Sequence, residues 1–226
     1  MVVQYVVLYV IYSDTGTTIP ESCIFGELLT LTAVFASIAM VIRYKWVESF
    51  NHGMKLLQNL NLAALVTGLI SCVGMTMVAN FEETSIRAVH FPSSAATFGM
   101  GIVYNFMHTE ITRRMSPKYS STCVWIYRLI ISMMGLLSFG LLYGFGVGAE
   151  TKGKKWYGND TAKKLEWNPE DPGWGLHLAS AVSEWIIGLS VILFFLTFTF
   201  EFGKIKLRLT KELKQFLIQQ AASERW

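Results

Sequence analysis

The residues with the greatest potential for chemistry lie within an apolar run near the C-terminal end of this sequence. Glu184 is preceded by His177 and Ser180, and spacings of four and seven residues place all three on one face of a helix. An ionisable group in an apolar run is costly unless it finds a partner or water. The pattern indicates either a proton-sensitive polar site or a protonated or hydrogen-bonded glutamate that locks helix packing.

A second polar stripe lies in an earlier apolar segment. Asn105, His108, Thr109 and Thr112 recur at helical spacing, so they share one side of the predicted helix. We expect this stripe to face the last helix and to satisfy part of the polarity around Glu184. Together, Glu184, His177, Ser180, Asn105 and His108 form the candidate polar site.

Catalytic signatures are absent from the sequence. It has no HExxH, no GxSxG and no phosphate-binding loop, and its four histidines and three cysteines are scattered. We therefore expect a protein that is not an enzyme and that has no cofactor and no metal site.

Long apolar stretches carry both polar stripes. Each approaches the ~20 residues that a helix needs to cross a bilayer core of ~30 Å. The chain is 52% hydrophobic and 15% charged, against roughly 25% charged in an average soluble domain. The sequence predicts an all-α transmembrane helical bundle with the lipid bilayer as its partner and no nucleic acid. It has five full spans, at 25–42, 56–79, 93–109, 124–147 and 176–200, plus a short N-terminal first span at 1–12.

Two regions follow from this reading. Residues 1–208 form one transmembrane domain, and residues 209–226 form a basic tail. The apolar residues of the tail share one helix face among lysines: Leu209, Leu213, Phe216 and Leu217. This pattern is typical of a helix lying on the anionic cytosolic leaflet, although a solvated helix is an alternative.

Basic residues set the expected orientation. Loops 43–55 and 110–123 and the segment after residue 200 hold most of the 19 lysines and arginines. Short loops rich in lysine and arginine stay in the cytosol, which places the C-terminus there. Arg128, a few residues inside its apolar segment, is expected to extend its side chain to the cytosolic headgroups.

The loop 148–175 falls on the opposite, lumenal side. It contains Asn159 in an Asn-Asp-Thr sequon, and N-glycosylation is restricted to that side. We therefore expect Asn159 to be glycosylated.

Small residues mark a predicted packing face. Gly140, Gly144 and Gly148 repeat at every fourth position, a spacing that lets a second helix approach closely. Packing inside the bundle is the main interpretation, and dimerisation is the alternative.

Several loop and helix-end segments resemble one known family. They occur in its order and spacing: Tyr12–Ser22, Val78–Phe81, Lys164–Pro169, His177 with Ser180, Glu184–Trp185, and Phe195–Phe198 with Leu207–Arg208. They are similar to the signature segments of the DRAM family, the damage-regulated autophagy modulators.

This resemblance implies a six-span protein of lysosomes and endosomes that promotes autophagy and, in some members, cell death. We therefore expect a non-enzymatic modulator of autophagy with membrane or autophagy-related protein partners. A lipid- or small-solute-handling membrane protein is the alternative, because the polar stripes could line a cavity.

Overall fold

The computed structural model describes residues 19–50, 53–82, 86–158 and 167–203. Three predictions lie outside these residues: the short first span at 1–12, the sequon at Asn159 and the tail at 209–226.

The described residues form helices and contain no strand. Five of the helices are long: α1 (Glu21–Phe50), α2 (Lys55–Asn80), α3 (Arg87–Met115), α4 (Thr122–Tyr157) and α5 (Trp174–Leu196). A short α6 (Thr199–Phe202) follows α5 after a turn. The all-helical prediction is confirmed. The helices run past the apolar stretches because their polar ends continue the same backbone hydrogen bonding.

Among the described residues, four segments are long and apolar enough to cross a membrane: α1, α2, residues 122–154 of α4, and α5 together with α6. Helix α3 has 29 residues, but many of the residues it buries are polar. The count of five full spans therefore stays a prediction.

The bundle has an apolar exterior, and its interior combines apolar side chains with many polar ones. Helix α1 packs on α2, α2 on α3, α3 on α4, and α4 on α5. Large side chains such as Phe35 and Leu137 face outward, each about two-thirds exposed, whereas buried positions include Asn61, Thr67 and Ser132. Exposed apolar side chains suit a hydrocarbon environment, and inward polar groups then find partners on neighbouring helices.

Two of the three α4 glycines in the predicted packing face have no close neighbour among the described residues. In the described part of the chain, a Cβ atom at Gly140 or Gly144 would meet no heavy atom within 4 Å. Both glycines face outward, because the inward side of α4 is presented at this level by Leu142 and Gly146. Gly148 does pack, with Leu176 Cδ1 lying 3.1 Å from the position of an added Cβ. The exposure of Gly140 and Gly144 leaves the dimerisation alternative open.

Candidate functional site

The predicted residues of α5 all face the bundle interior. Glu184 is 5% exposed, and Ser180 Oγ donates a hydrogen bond to the carbonyl of Leu142 on α4, at 2.9 Å. The His177 ring stacks on Trp167, with centroids 4.6 Å apart and planes 9° apart. Glu184 therefore lies on a packed helix face, and its protonation state stays a prediction.

The polar stripe of α3 is also buried, but His108 in this stripe lies far from Glu184. Asn105 and His108 are 3% and 1% exposed, and the His108 ring lies 5.7 Å from the ring of Phe198. Phe198 follows Glu184 by roughly four helical turns, or about 20 Å. The structure therefore does not bring His108 and Glu184 into one site.

Near His108 lies a buried cluster of charges, formed by Arg43, Arg128 and Glu201. Arg128 Nη2 lies 2.8 Å from Glu201 Oε2, and Arg43 Nη1 lies 3.4 Å from Glu201 Oε1. The arginine side chains are 0% exposed and that of Glu201 is 2% exposed. We refer to these three residues as the charge cluster.

Threonine hydroxyls hold the two guanidinium groups. Arg128 Nε donates to Thr197 Oγ1 at 2.7 Å, and Arg128 Nη1 donates to Thr112 Oγ1. Arg43 Nη2 reaches the same Thr112 oxygen at 3.4 Å. Thr112 thus links both arginines, and its own hydroxyl donates to the carbonyl of His108.

Aromatic faces complete the surroundings of the cluster. The guanidinium of Arg43 lies 4.5 Å from the Trp46 ring centroid and 5.3 Å from that of Phe198. Arg128 lies 4.9 Å from the same Phe198 ring. Such contacts stabilise a desolvated cation by roughly 0.5–2 kcal/mol each.

Together with Thr112, the charge cluster joins four helices at one end of the bundle. Arg43 comes from α1, Thr112 from α3, Arg128 from α4 and Glu201 from α6. This end, at which α1 and α3 finish and α2 and α4 begin, is called the basic end below. Breaking a buried ion pair by removing one partner costs about 3–5 kcal/mol. The cluster therefore fixes the relative positions of these helix ends.

An exposed group of the same composition lies on α3. Glu110 accepts hydrogen bonds from Arg113 and Arg114, at 2.7 Å and 2.6 Å for the two Nε atoms. The hydrogen bond from Arg113 holds the pKa of Glu110 below its usual value. Exposed pairs contribute about 0–1 kcal/mol, so burial distinguishes the charge cluster from this group.

The sequence prediction for Arg128 was wrong. Its side chain turns into the bundle instead of towards the headgroups, because Glu201, Thr112 and Thr197 replace the hydration it loses. The sequence contained part of the signal, because Arg43, Thr112, Arg128 and Glu201 all lie near the predicted cytosolic ends of their spans.

Comparisons with known proteins agree with the resemblance in the loops. A family model described as the Frag1/DRAM/Sfk1/Cwh43P N-terminal domain matches residues 3–205, a range that includes the charge cluster. The chain is 38% identical over 217 residues to DNA damage-regulated autophagy modulator protein 2 of Bos taurus, covering 93% of this chain and 78% of that protein.

Two further relatives extend the comparison. The chain is 34% identical over 202 residues to DNA damage-regulated autophagy modulator protein 1 of Homo sapiens, covering 89% of this chain and 80% of that protein. It is 30% identical over 122 residues to modulator of macroautophagy TMEM150B-B of Xenopus laevis, covering 54% and 51%. No solved structure significantly matches the chain.

Proposed function

This chain belongs to the Frag1/DRAM/Sfk1/Cwh43P family, and we propose that it is a non-enzymatic modulator of autophagy in the lysosomal or endosomal membrane. The observation that carries this proposal is the similarity, over about nine-tenths of the chain, to proteins named as autophagy modulators. Its long apolar helices support a role exerted from within a bilayer.

The state of the polar groups supports a role without catalysis. The buried set of ionisable side chains, the charge cluster, is closed off from solvent and held by ion pairs and hydrogen bonds. Such groups hold helices together and are not presented to a substrate. The protein therefore acts through its shape and its loops, by contacting membrane or autophagy-related partners.

The basic end faces the cytosol in this proposal, together with the C-terminus. The exposed Lys45, Arg113 and Arg114 lie there, as expected of a cytosolic helix end. Asn159 then lies on the lumenal side and carries a glycan.

Changing Asn159 to glutamine is expected to abolish a glycan-dependent mobility shift. The measurement is gel mobility with and without N-glycosidase for the wild-type protein and Asn159→Gln, expressed in a glycosylating cell. A Thr151→Ala variant, in the same predicted loop but outside the sequon, serves as the control. A C-terminal epitope that is accessible only after lumenal permeabilisation would contradict the orientation.

Loss of the protein is expected to lower autophagic flux. Flux is measured as the difference in autophagosome marker with and without a lysosomal inhibitor, in cells lacking the protein and in the same cells re-expressing it at native level. A tagged copy should co-localise with acidic organelles. Residence solely at the plasma membrane together with unchanged flux would favour the lipid- or solute-handling alternative.

A further inference from the structure

The charge cluster contains more positive than negative charge. Arg43 and Arg128 face one carboxylate, that of Glu201, and among the described residues no other carboxylate lies within 4.0 Å of either guanidinium. An uncompensated charge in a low-dielectric interior is strongly unfavourable. The aromatic rings offset part of this penalty but carry no net charge. The cluster is therefore left with a formal charge of about one positive unit.

Unmet hydrogen-bond capacity lies around the same place. Within the described part of the chain, Arg43 Nε and Nη1, Tyr104 Oη and His108 Nδ1 are buried without a hydrogen-bond partner. The contact of Nη1 with Glu201 is the ion pair at 3.4 Å. Leaving a buried polar group unsatisfied costs about 1–3 kcal/mol. Several such atoms beside an excess positive charge indicate a missing hydrogen-bond acceptor.

Phe198 is a common neighbour of these groups. The rings of Tyr104 and His108 lie 4.4 Å apart, and they lie 6.5 Å and 5.7 Å from the ring of Phe198. The Arg43 guanidinium lies 5.3 Å from that same ring. The Arg43 guanidinium and the rings of Tyr104 and His108 thus all lie beside one aromatic side chain.

We propose that the charge cluster binds a small inorganic anion of the halide class, held by Arg43 with Tyr104 and His108. One monovalent anion brings the formal charge of the cluster to zero. Such an ion accepts hydrogen bonds from any direction, so it can take them from a guanidinium, a phenol hydroxyl and an imidazole N–H together.

The burial of the surrounding side chains limits the size of an anion that can bind here. Both arginines are fully buried and Tyr104 is 1% exposed, so the ion must shed its water and occupy little space. A halide meets this requirement, whereas a phosphate headgroup attached to a lipid needs an opening wide enough for its glycerol linkage. The inference is independent of the role in autophagy.

Chloride is expected to stabilise the purified protein in a saturable way. Unfolding temperature is measured in detergent over a series of sodium chloride concentrations, with sodium gluconate at equal ionic strength as the reference. At about ten times the dissociation constant, chloride should raise the unfolding temperature by roughly 3–6 °C. Bromide should replace chloride and give anomalous scattering beside Arg43 in a crystal.

Matched variants assign the effect to the cluster. Arg43→Gln removes the excess charge and leaves the Arg128 and Glu201 pair intact, so it should abolish the chloride response. Tyr104→Phe removes one donor and should weaken chloride binding severalfold. Arg114→Gln, which removes an exposed arginine of the basic end, should keep the full response.

Three results would overturn the proposal. These are equal unfolding temperatures in chloride and gluconate, a chloride response that persists in Arg43→Gln, and a response to inorganic phosphate but not to chloride. If Arg43→Gln does not fold, Tyr104→Phe decides: an unchanged chloride dissociation constant together with no bromide density beside Arg43 would overturn the assignment.

Discussion

Replacing Glu201 by glutamine is expected to destabilise the protein by about 3–5 kcal/mol, because two buried guanidinium groups then lose their shared carboxylate. Arg128 retains its hydrogen bonds to Thr197 and Thr112, but neither hydroxyl supplies negative charge. The measurements are the yield of monodisperse protein by size-exclusion chromatography in detergent and the unfolding temperature, both in gluconate so that no halide compensates.

Glu110 offers the matched control. Like Glu201, it is one carboxylate between two arginines of the basic end, but its side chain is 33% exposed. Glu110→Gln should therefore cost less than about 1 kcal/mol. Arg43→Gln should also be milder than Glu201→Gln, since it leaves a neutral pair. Similar losses for Glu201→Gln and Glu110→Gln would show that the buried cluster does not determine stability.

Sequence reasoning located the helices well because a bilayer imposes their length. The predicted span at 56–79 corresponds to α2, Lys55–Asn80, and 176–200 falls within α5 and α6. Hydropathy reports the free energy of moving a segment into lipid, and that quantity depends on composition and not on neighbours. Segments of this kind can therefore be recognised one at a time.

The charge cluster could not be found in the same way. Its members come from helices far apart in the chain, and each lies near the end of an apolar stretch, where an ionisable residue reaches the headgroups at little cost. Only the packing of α1, α4 and α6 shows that Arg43, Arg128 and Glu201 meet. Sequence patterns predict how deep a residue lies in the membrane. They do not predict how a helix is rotated about its axis, and therefore do not predict which residues face each other.

The glycine repeat on α4 is subject to the same limit, because spacing does not give the rotation of the helix. Spacing of four residues places Gly140 and Gly144 on one face of α4, but nothing in the spacing says which face is inward. One of the glycines that permit the closest described approach to backbone atoms of another helix lies on α2 and belongs to no such repeat. At Gly74, a Cβ atom would stand 2.9 Å from both Ser93 O and Thr97 N of α3.

Replacing Gly74 by leucine is therefore expected to separate α2 from α3 and to cost 2 kcal/mol or more, about the upper part of the range for overpacking. Backbone atoms of α3 cannot move aside as a flexible side chain can. The separation should also break the hydrogen bond from Ser71 Oγ to the carbonyl of Thr97, which is 2.6 Å long. The measurement is the unfolding temperature together with the yield of monodisperse protein.

Gly140→Leu is the control, because no described atom lies within 4 Å of the Cβ position there. Leucine also has a higher helix propensity than glycine by about 0.8 kcal/mol, so this variant should be neutral or slightly stabilising in a monomer. Gly74→Ala should fall between the two leucine variants. If Gly74→Leu is as stable as Gly140→Leu, the result would contradict the close approach of α2 and α3 at Gly74. If Gly140→Leu alone is damaging, the outward face of α4 is a packing interface, and the oligomeric state of the purified protein tests whether a second copy covers it.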